Sequence, residues 1–328
     1  MNAEIDWPTR IGEAPRPQPR KKPRPHQAAA IRDVVRGFRH RDRGQLIMAC
    51  GTGKTLTALW IAEKLQNRRT LVLVPSLSLI SQTLSEWGRT SRHPFDALVV
   101  CSDETVTDRS QDAAVISTSD LGVPVTTDVR AIRAFLKKRR VPGVESSSPQ
   151  PLGRGNNNWG LADSTPATHS VVFCTYQSSD RIAAAQQRSA PPFDLVIADE
   201  AHRCTGPADS LFTTVLDARK ITARRRLFMT ATPRYFTGRV KKRAAELEYE
   251  LASMDDESRF GPVFHRLTFD AAIRDGLLTD YQVVVIGVTH AELRQWAEEA
   301  RLVRLGGTSL SPRRAWHSSE LFAIRPPR

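Results

Sequence analysis

Ala49-Cys50-Gly51-Thr52-Gly53-Lys54-Thr55 lies between an apolar run and a stretch with helical spacing. Glycines at such a junction let backbone N–H groups turn toward a phosphate, and the N-terminus of the following helix adds unpaired amides and a favourable dipole. Gly51, Thr52 and Gly53 would form the cradle, Lys54 would reach the β- and γ-phosphates, and the Thr55 hydroxyl would ligate Mg²⁺. The strict phosphate-loop pattern asks for glycine where Met48 stands, so a chance Gly-Lys-Thr in a loop is the alternative for this stretch by itself.

A second stretch bears on that choice. Asp194-Leu195-Val196-Ile197-Ala198-Asp199-Glu200-Ala201-His202 is an apolar strand that delivers two adjacent carboxylates at its C-terminal end, the edge where open α/β sheets bind ligands. Asp199 would hold Mg²⁺ directly or through water, and Glu200 would orient and deprotonate an attacking water. Alone, the acidic pair would serve equally as a helix cap. Together with a phosphate loop it meets the joint requirement of metal-assisted phosphoanhydride hydrolysis.

These residues need a scaffold that brings strand ends together. Helical spacing runs from His26 through Ala30, Ile31, Val34, Val35 and Phe38, and Gln45 to Ala49 reads as a short buried strand. Further apolar runs at Thr70 to Val74, Ala97 to Cys101, Val171 to Thr175, Leu195 to Ala198 and Leu227 to Thr230 alternate with helical segments such as Leu77 to Trp87 and Val129 to Arg140. Nearly continuous apolar strands separated by helices are what a parallel sheet covered on both faces requires, so the expected fold class is α/β.

Around this scaffold the composition changes. Met1 to Pro25 is a Pro/Arg/Lys-rich leader expected to be an extended basic arm. Val141 to His169 is rich in Ser, Pro, Gly and Asn and reads as a surface insertion. Charged helices are expected from Val240 to Leu251 and from Ala291 to Leu302. The formal charge of +13 over 328 residues favours a polyanionic partner, although a solvated basic surface would carry the same charge. The four cysteines, Cys50, Cys101, Cys174 and Cys204, show no C-x-x-C spacing, which points to reduced thiols rather than a zinc or disulfide framework. No signal-type segment or membrane-length apolar run is present in the sequence, so a cytoplasmic location and no membrane partner are expected.

Asp199-Glu200-Ala201-His202 matches the DEAH box, and the chain resembles the first RecA-like domain of DEAH-type superfamily 2 helicases, most of all the helicase part of restriction enzymes of type III and type I R-subunit kind. The resemblance runs from about Arg24 to about Thr289 and implies a RecA-like P-loop NTPase that uses ATP and Mg²⁺. It implies that Gln27, in Arg24-Pro25-His26-Gln27, contacts adenine. Leu73-Val74-Pro75-Ser76-Leu77-Ser78-Leu79 and Cys174-Thr175-Tyr176-Gln177-Ser178 resemble motifs that touch a nucleic-acid strand, which implies contacts from Pro75, Ser76, Thr175 and Gln177; ordinary strand-to-helix capping by Ser76 and Thr175 is the alternative. Met229-Thr230-Ala231-Thr232-Pro233 resembles the motif that couples hydrolysis to the strand, through Thr230 and Thr232, with His202 in the same relay.

The resemblance also divides the chain: residues 26–252 as the ATP-binding domain, 253–290 as a segment leading toward a second motor domain, and 291–328 as a basic tail. The acidic cluster Asp255-Asp256-Glu257 is expected to be a structural turn. Helicases of this kind place ATP between two RecA-like domains, the second presenting an arginine finger from Gln-x-x-Gly-Arg-x-x-Arg, and no such motif follows Thr289 here. The expectation is therefore a truncated or split part of a restriction or defence enzyme. It would bind ATP and DNA, double-stranded DNA being the expected strand, and turn over weakly unless a separate polypeptide supplies the second domain. The alternative is a nucleotide-gated DNA-binding module or inactive remnant without hydrolysis.

Overall fold

The computed structural model describes residues 20–102, 121–137, 169–207, 211–239 and 251–280, together with Lys242 and the strand positions 303–305 and 308–310. Most of the expected insertion, the beginning of the leader, nearly all of the expected helix from Val240 to Leu251 and the whole of that from Ala291 to Leu302 lie outside the described residues, and Leu251 itself begins a short strand.

The chain divides into a compact unit over Met1–Ala272 and a second over Ile273–Arg328. The first is built on a sheet of seven strands in the order β3-β4-β2-β5-β7-β1-β9. These are β1 (Arg43–Met48), β2 (Arg69–Val74), β3 (Phe95–Val100), β4 (His169–Thr175), β5 (Leu195–Ala198), β7 (Arg226–Thr230) and β9 (Val263–Leu267). Two short strands, β6 (Gly206–Pro207) and β8 (Leu251–Ala252), pair apart from it. Every neighbouring pair in the large sheet is parallel. All its strands therefore end at one edge, and the loops after β1, β2, β4, β5 and β7 share that edge.

Alternation along β2 sorts the two faces, since successive side chains point oppositely. Leu71 and Leu73 join a core with Ile132 and Leu136 of α4 (Val129–Lys137) and with Ile182 and Ala185 of α5 (Ser179–Gln187). On the other face Trp87 of α3 (Leu77–Thr90) packs edge-on to Phe173, with ring centroids 5.7 Å apart. Helices α1 (Pro25–Gly37) and α2 (Lys54–Lys64) complete the helical layers. Continuous burial of β1, β2 and β4 over their last five residues explains why their sequences read as unbroken apolar runs.

Strand β9 was not among the sequence expectations, which read its residues as part of a connecting segment. It pairs with β1 in parallel from Gln45↔Val263 to Met48↔Leu267. The Phe264 ring lies where only glycine fits beneath it: a Cβ at Gly37 or Gly44 would sit 2.3 or 2.2 Å from that ring. Nearby, Asp256 caps α6 (Glu257–Phe260) by accepting from Ser258 N at 2.9 Å and pairs with Arg259 at 3.3 Å. A further short helix, α7 (Phe269–Arg274), follows β9. In the second unit β10 (Val303–Leu305) and β11 (Thr308–Leu310) form an antiparallel pair. Among the described residues no helix is long and apolar enough to cross a membrane.

Candidate nucleotide site and its acidic turn

The loop from Ala49 to Gly53 joins β1 to α2, and its glycines carry its shape: Gly51 has φ +79° and Gly53 φ +84°. A side chain at position 53 would also collide with a neighbour, because its Cβ would lie 2.4 Å from Gln27 Nε2. Thr52 closes the loop by donating its hydroxyl to Ala49 O at 2.6 Å. Met48, where the strict pattern has glycine, is the fully buried last residue of β1, so the turn begins after it.

Helix α1 holds this loop from one side. Gln27 Nε2 donates to Thr52 O at 3.4 Å and Gly53 O at 3.2 Å, and Gln27 Oε1 accepts from Arg24 N at 2.9 Å. His26 Nε2 lies 3.0 Å from Thr52 O, and since a carbonyl only accepts, that nitrogen carries the proton. In a trans peptide the N–H points opposite to the C=O, so the Gly53 and Lys54 amides face away from α1. Lys54 Nζ donates to Met48 O at 3.4 Å, and the Thr55 carbonyl accepts from Trp87 Nε1 at 3.0 Å. Gln27 is buried and fully engaged with the loop in this arrangement.

The acidic turn follows β5, two strand positions from β1 in the sheet order and so about 10 Å across the sheet. Asp199 N donates to Leu73 O at 2.9 Å, which continues the pairing with β2. Glu200 has φ +49° and ψ +46°, a left-handed conformation that costs a non-glycine residue about 1–2 kcal/mol. Its N–H donates to Asp199 Oδ1 at 2.9 Å, and a 3₁₀ turn over Ala201–Cys204 follows. His202 Nδ1 lies 3.3 Å from Glu200 Oε2 and 3.0 Å from Thr230 Oγ1. A carboxylate only accepts, so Nδ1 carries the proton and donates toward both. Thr230 Oγ1 also accepts from Thr232 N at 3.1 Å, and the acidic turn is thus joined through His202 to the loop after β7.

Electrostatics tie the two loops together. Burial and the neighbouring Glu200 charge push Asp199 up to about 6, while Lys54, the Glu200 N–H and His202 pull it down. Glu200 sits below its ordinary value, first through its hydrogen bond with His202, with Lys54 adding to the effect against burial. The amine of Lys54 therefore acts on both carboxyls.

The remaining residues expected at the site share the edge but differ in exposure. Pro75 is buried. Ser76 caps α3 by accepting from Leu79 N at 3.4 Å and lies 2.9 Å from Ser78 Oγ. Thr175 is fully buried and donates to Ser178 Oγ at 3.3 Å, whereas Gln177 is partly buried, with Oε1 lacking a partner. Thr232 is exposed and contributes its backbone N–H. Sequence reasoning passed over His26, Tyr176 and Cys204. Tyr176 reaches Asp199 O, a residue 23 positions away, and no local pattern announces such a contact.

A parallel sheet with helices on both faces, a glycine-shaped loop after β1 and an acidic turn after β5 define a RecA-like α/β fold. The chain belongs to the family described as type III restriction enzyme, res subunit, whose model matches residues 20–235. It is a helicase-type domain related to restriction enzymes. The ATP-dependent Type ISP restriction-modification enzyme LlaBIII bound to DNA is 34% identical with a TM-score of 0.60, covering 85% of this chain and 17% of that one. A nuclease-deletion mutant of the Type ISP enzyme LlaGI, in complex with a DNA substrate mimic, is 30% identical with a TM-score of 0.55, covering 85% of this chain and 22% of that one. A probable helicase of African swine fever virus is 28% identical over 264 residues, which is 80% of this chain and 24% of the relative. The chain thus spans about a quarter or less of the length of these relatives.

Proposed function

We propose that this chain is the ATP-binding half of a nucleic-acid motor that hydrolyses ATP with Mg²⁺ while a DNA duplex lies against the C-terminal edge of its sheet. The observation that carries the reading is that the glycine loop after β1 and the acidic turn after β5 share one sheet edge two strands apart, with His202 linking Glu200 to Thr230; the pull of Lys54 on both carboxyls agrees with it. The residues fit the nucleotide: Gly53 leaves room where a Cβ would strike Gln27, and the outward amides of Gly53 and Lys54 open the loop to an anion.

In this reading the backbone N–H groups of Gly51, Gly53 and Lys54 hold the phosphates, Thr52, whose N–H donates to Ala49 O, keeps the loop in shape, and the Lys54 amine offsets charge on the β- and γ-phosphates. Gln27 steadies the loop from α1, and contact with adenine would need one of its bonds to Thr52 or Gly53 to open. Thr55 and Asp199 would hold Mg²⁺, which would supply charge neutralisation on the phosphate oxygens. Glu200 takes a proton from water, and its lowered pKa keeps it ionised and ready to accept. His202 passes a change at Glu200 to Thr230 and Thr232. Ser76 and Gln177, which are only partly buried, would meet the strand, while the buried Pro75 and Thr175 shape the loops that carry them, a role consistent with the DNA named for the two Type ISP enzymes. Without an arginine finger from a second RecA-like domain, turnover at this site would be slow, since such a finger contributes about 10³ to 10⁵ in rate in related phosphoryl-transfer enzymes.

Titration calorimetry with Mg-ATP tests the site. Wild type binds and Lys54→Ala does not; equal affinities overturn the proposal. DNA-stimulated ATP hydrolysis that Glu200→Gln abolishes separates this reading from a nucleotide-gated DNA-binding module without hydrolysis.

A further inference from the structure

Glu200 sits in a conformation that its own backbone disfavours, so the acidic turn depends on the groups that hold it. The group that reaches it comes from the end of β4. Tyr176 is fully buried, its ring 5.5 Å from that of Phe212, and its hydroxyl donates to Asp199 O at 2.6 Å. The phenol oxygen thus grips the turn immediately before Glu200, and Cys204, the last residue of that turn, is fully buried. Burial pushes the phenol well above its ordinary value, so it stays protonated and able to donate.

Tyr176 also opens the short 3₁₀ turn Tyr176–Ser178, next to Gln177, the residue proposed above to meet the nucleic-acid strand. A displacement of that turn moves the phenol, and the phenol is bonded to the backbone that sets the direction of Glu200. We propose that Tyr176 is the positioning residue through which an occupied strand site brings Glu200 into its productive geometry. This rests on the function proposed above. Tyr176 touches neither phosphate nor water in this role and acts only through the acidic turn.

The test uses Tyr176→Phe in the full chain, which keeps the ring against Phe212 and removes only the hydroxyl. Hydrolysis is measured with and without blunt duplex DNA, Mg-ATP affinity by calorimetry, and hydrogen exchange at the Arg203 and Thr205 amides, which bond within the turn. The expected result for Tyr176→Phe is exchange at those amides faster by about tenfold, DNA-stimulated kcat lower by about tenfold, and Mg-ATP affinity within about twofold of wild type.

Undiminished DNA stimulation in Tyr176→Phe overturns the coupling, and faster exchange alongside it leaves Tyr176 a merely structural role. A fall in stimulation matched by an equal fall in Mg-ATP affinity also overturns it, because the defect then lies in binding. A wild-type chain that neither binds Mg-ATP nor responds to DNA overturns the functional reading and the coupling together. These outcomes are distinguishable because the wild type is scored first.

Discussion

Asp194 precedes β5 and Asp199 follows it, one aspartate at each end of a single strand. At the N-terminal end, Asp194 Oδ2 accepts from the backbone amides of Arg68 and Arg69, both at 2.9 Å, and ties β5 to the start of β2. At the C-terminal end, Asp199 shares a confined space with Glu200, accepts from the Glu200 N–H, and is pushed up to about 6. Arg226 repeats the pattern of the N-terminal edge: fully buried, it donates to the carbonyls of Val215, Ala223 and Ile221. At that edge charged groups are used up by backbone partners. At the opposite edge they are crowded together, which suits a cationic or polyanionic ligand. The same side chain is structural or chemical according to whether the fold completes its hydrogen bonds.

Exchanging the two aspartates' fates by mutation gives the largest expected effect. Asp199→Ala should weaken Mg-ATP binding by more than about a hundredfold in calorimetry without lowering stability, since it removes a charge that burial opposes. Asp194→Ala should leave that affinity within about twofold and cost about 1–3 kcal/mol of stability, a Tm decrease of a few degrees. Loss of nucleotide binding in Asp194→Ala at unchanged Tm would reverse the contrast.

Glu200→Gln sharpens the comparison within the acidic pair. It keeps the turn's shape but removes the base, so kcat should fall by about 10² to 10³ while Mg-ATP affinity changes little. A matching loss of affinity would assign Glu200 to binding instead.

The pH dependence follows from Asp199. With a pKa of about 6 in the folded chain, its carboxylate is mostly protonated near pH 5, and Mg-ATP affinity should fall by about tenfold between about pH 7.5 and pH 5. For stability the sign is opposite, because the folded pKa lies above the ordinary 3.8. The stabilising contribution of this carboxyl is complete below about pH 4 and is lost as pH rises through about 6. Denaturant titrations of Asp199→Asn should lack that slope, and persistence of the slope would place its origin elsewhere.

The smallest effect belongs to the edge where a strand is proposed to pass. Ser76→Ala removes the cap of α3 and should cost about 0.5–1 kcal/mol of stability, read as a small fall in Tm. If it instead weakens duplex DNA binding with no change in Tm, Ser76 serves the strand and not the helix.

How much of this could be read beforehand varied with the range of the interactions. The β1–loop–α2 unit and the Asp-Glu strand end were legible because their signals are contiguous: an apolar run, residues that permit or demand a special backbone, then a helix. Strand β9 was hidden because it is an edge strand with only Leu267 buried, and its partner β1 lies more than two hundred residues earlier in the chain. Gln27 was legible as part of a motif, but its three bonds to Arg24, Thr52 and Gly53 were not. Tyr176 and Cys204 carried no signal, since a buried tyrosine after a strand and a lone cysteine read as ordinary core.

The sequence by itself determined which residues could bind phosphate and which could hold a metal or take a proton, because those capacities belong to side-chain chemistry and to glycine's backbone freedom. It also determined that apolar strands would alternate with helices, since burial on both faces demands continuous apolar runs. Only the tertiary structure decided that Lys54 would act on Asp199 and Glu200, that His202 would bridge Glu200 and Thr230, and that Tyr176 would grip the acidic turn. Those relations depend on strand order and register in a parallel sheet, where residues far apart in the chain meet at one edge, and no local pattern encodes that meeting.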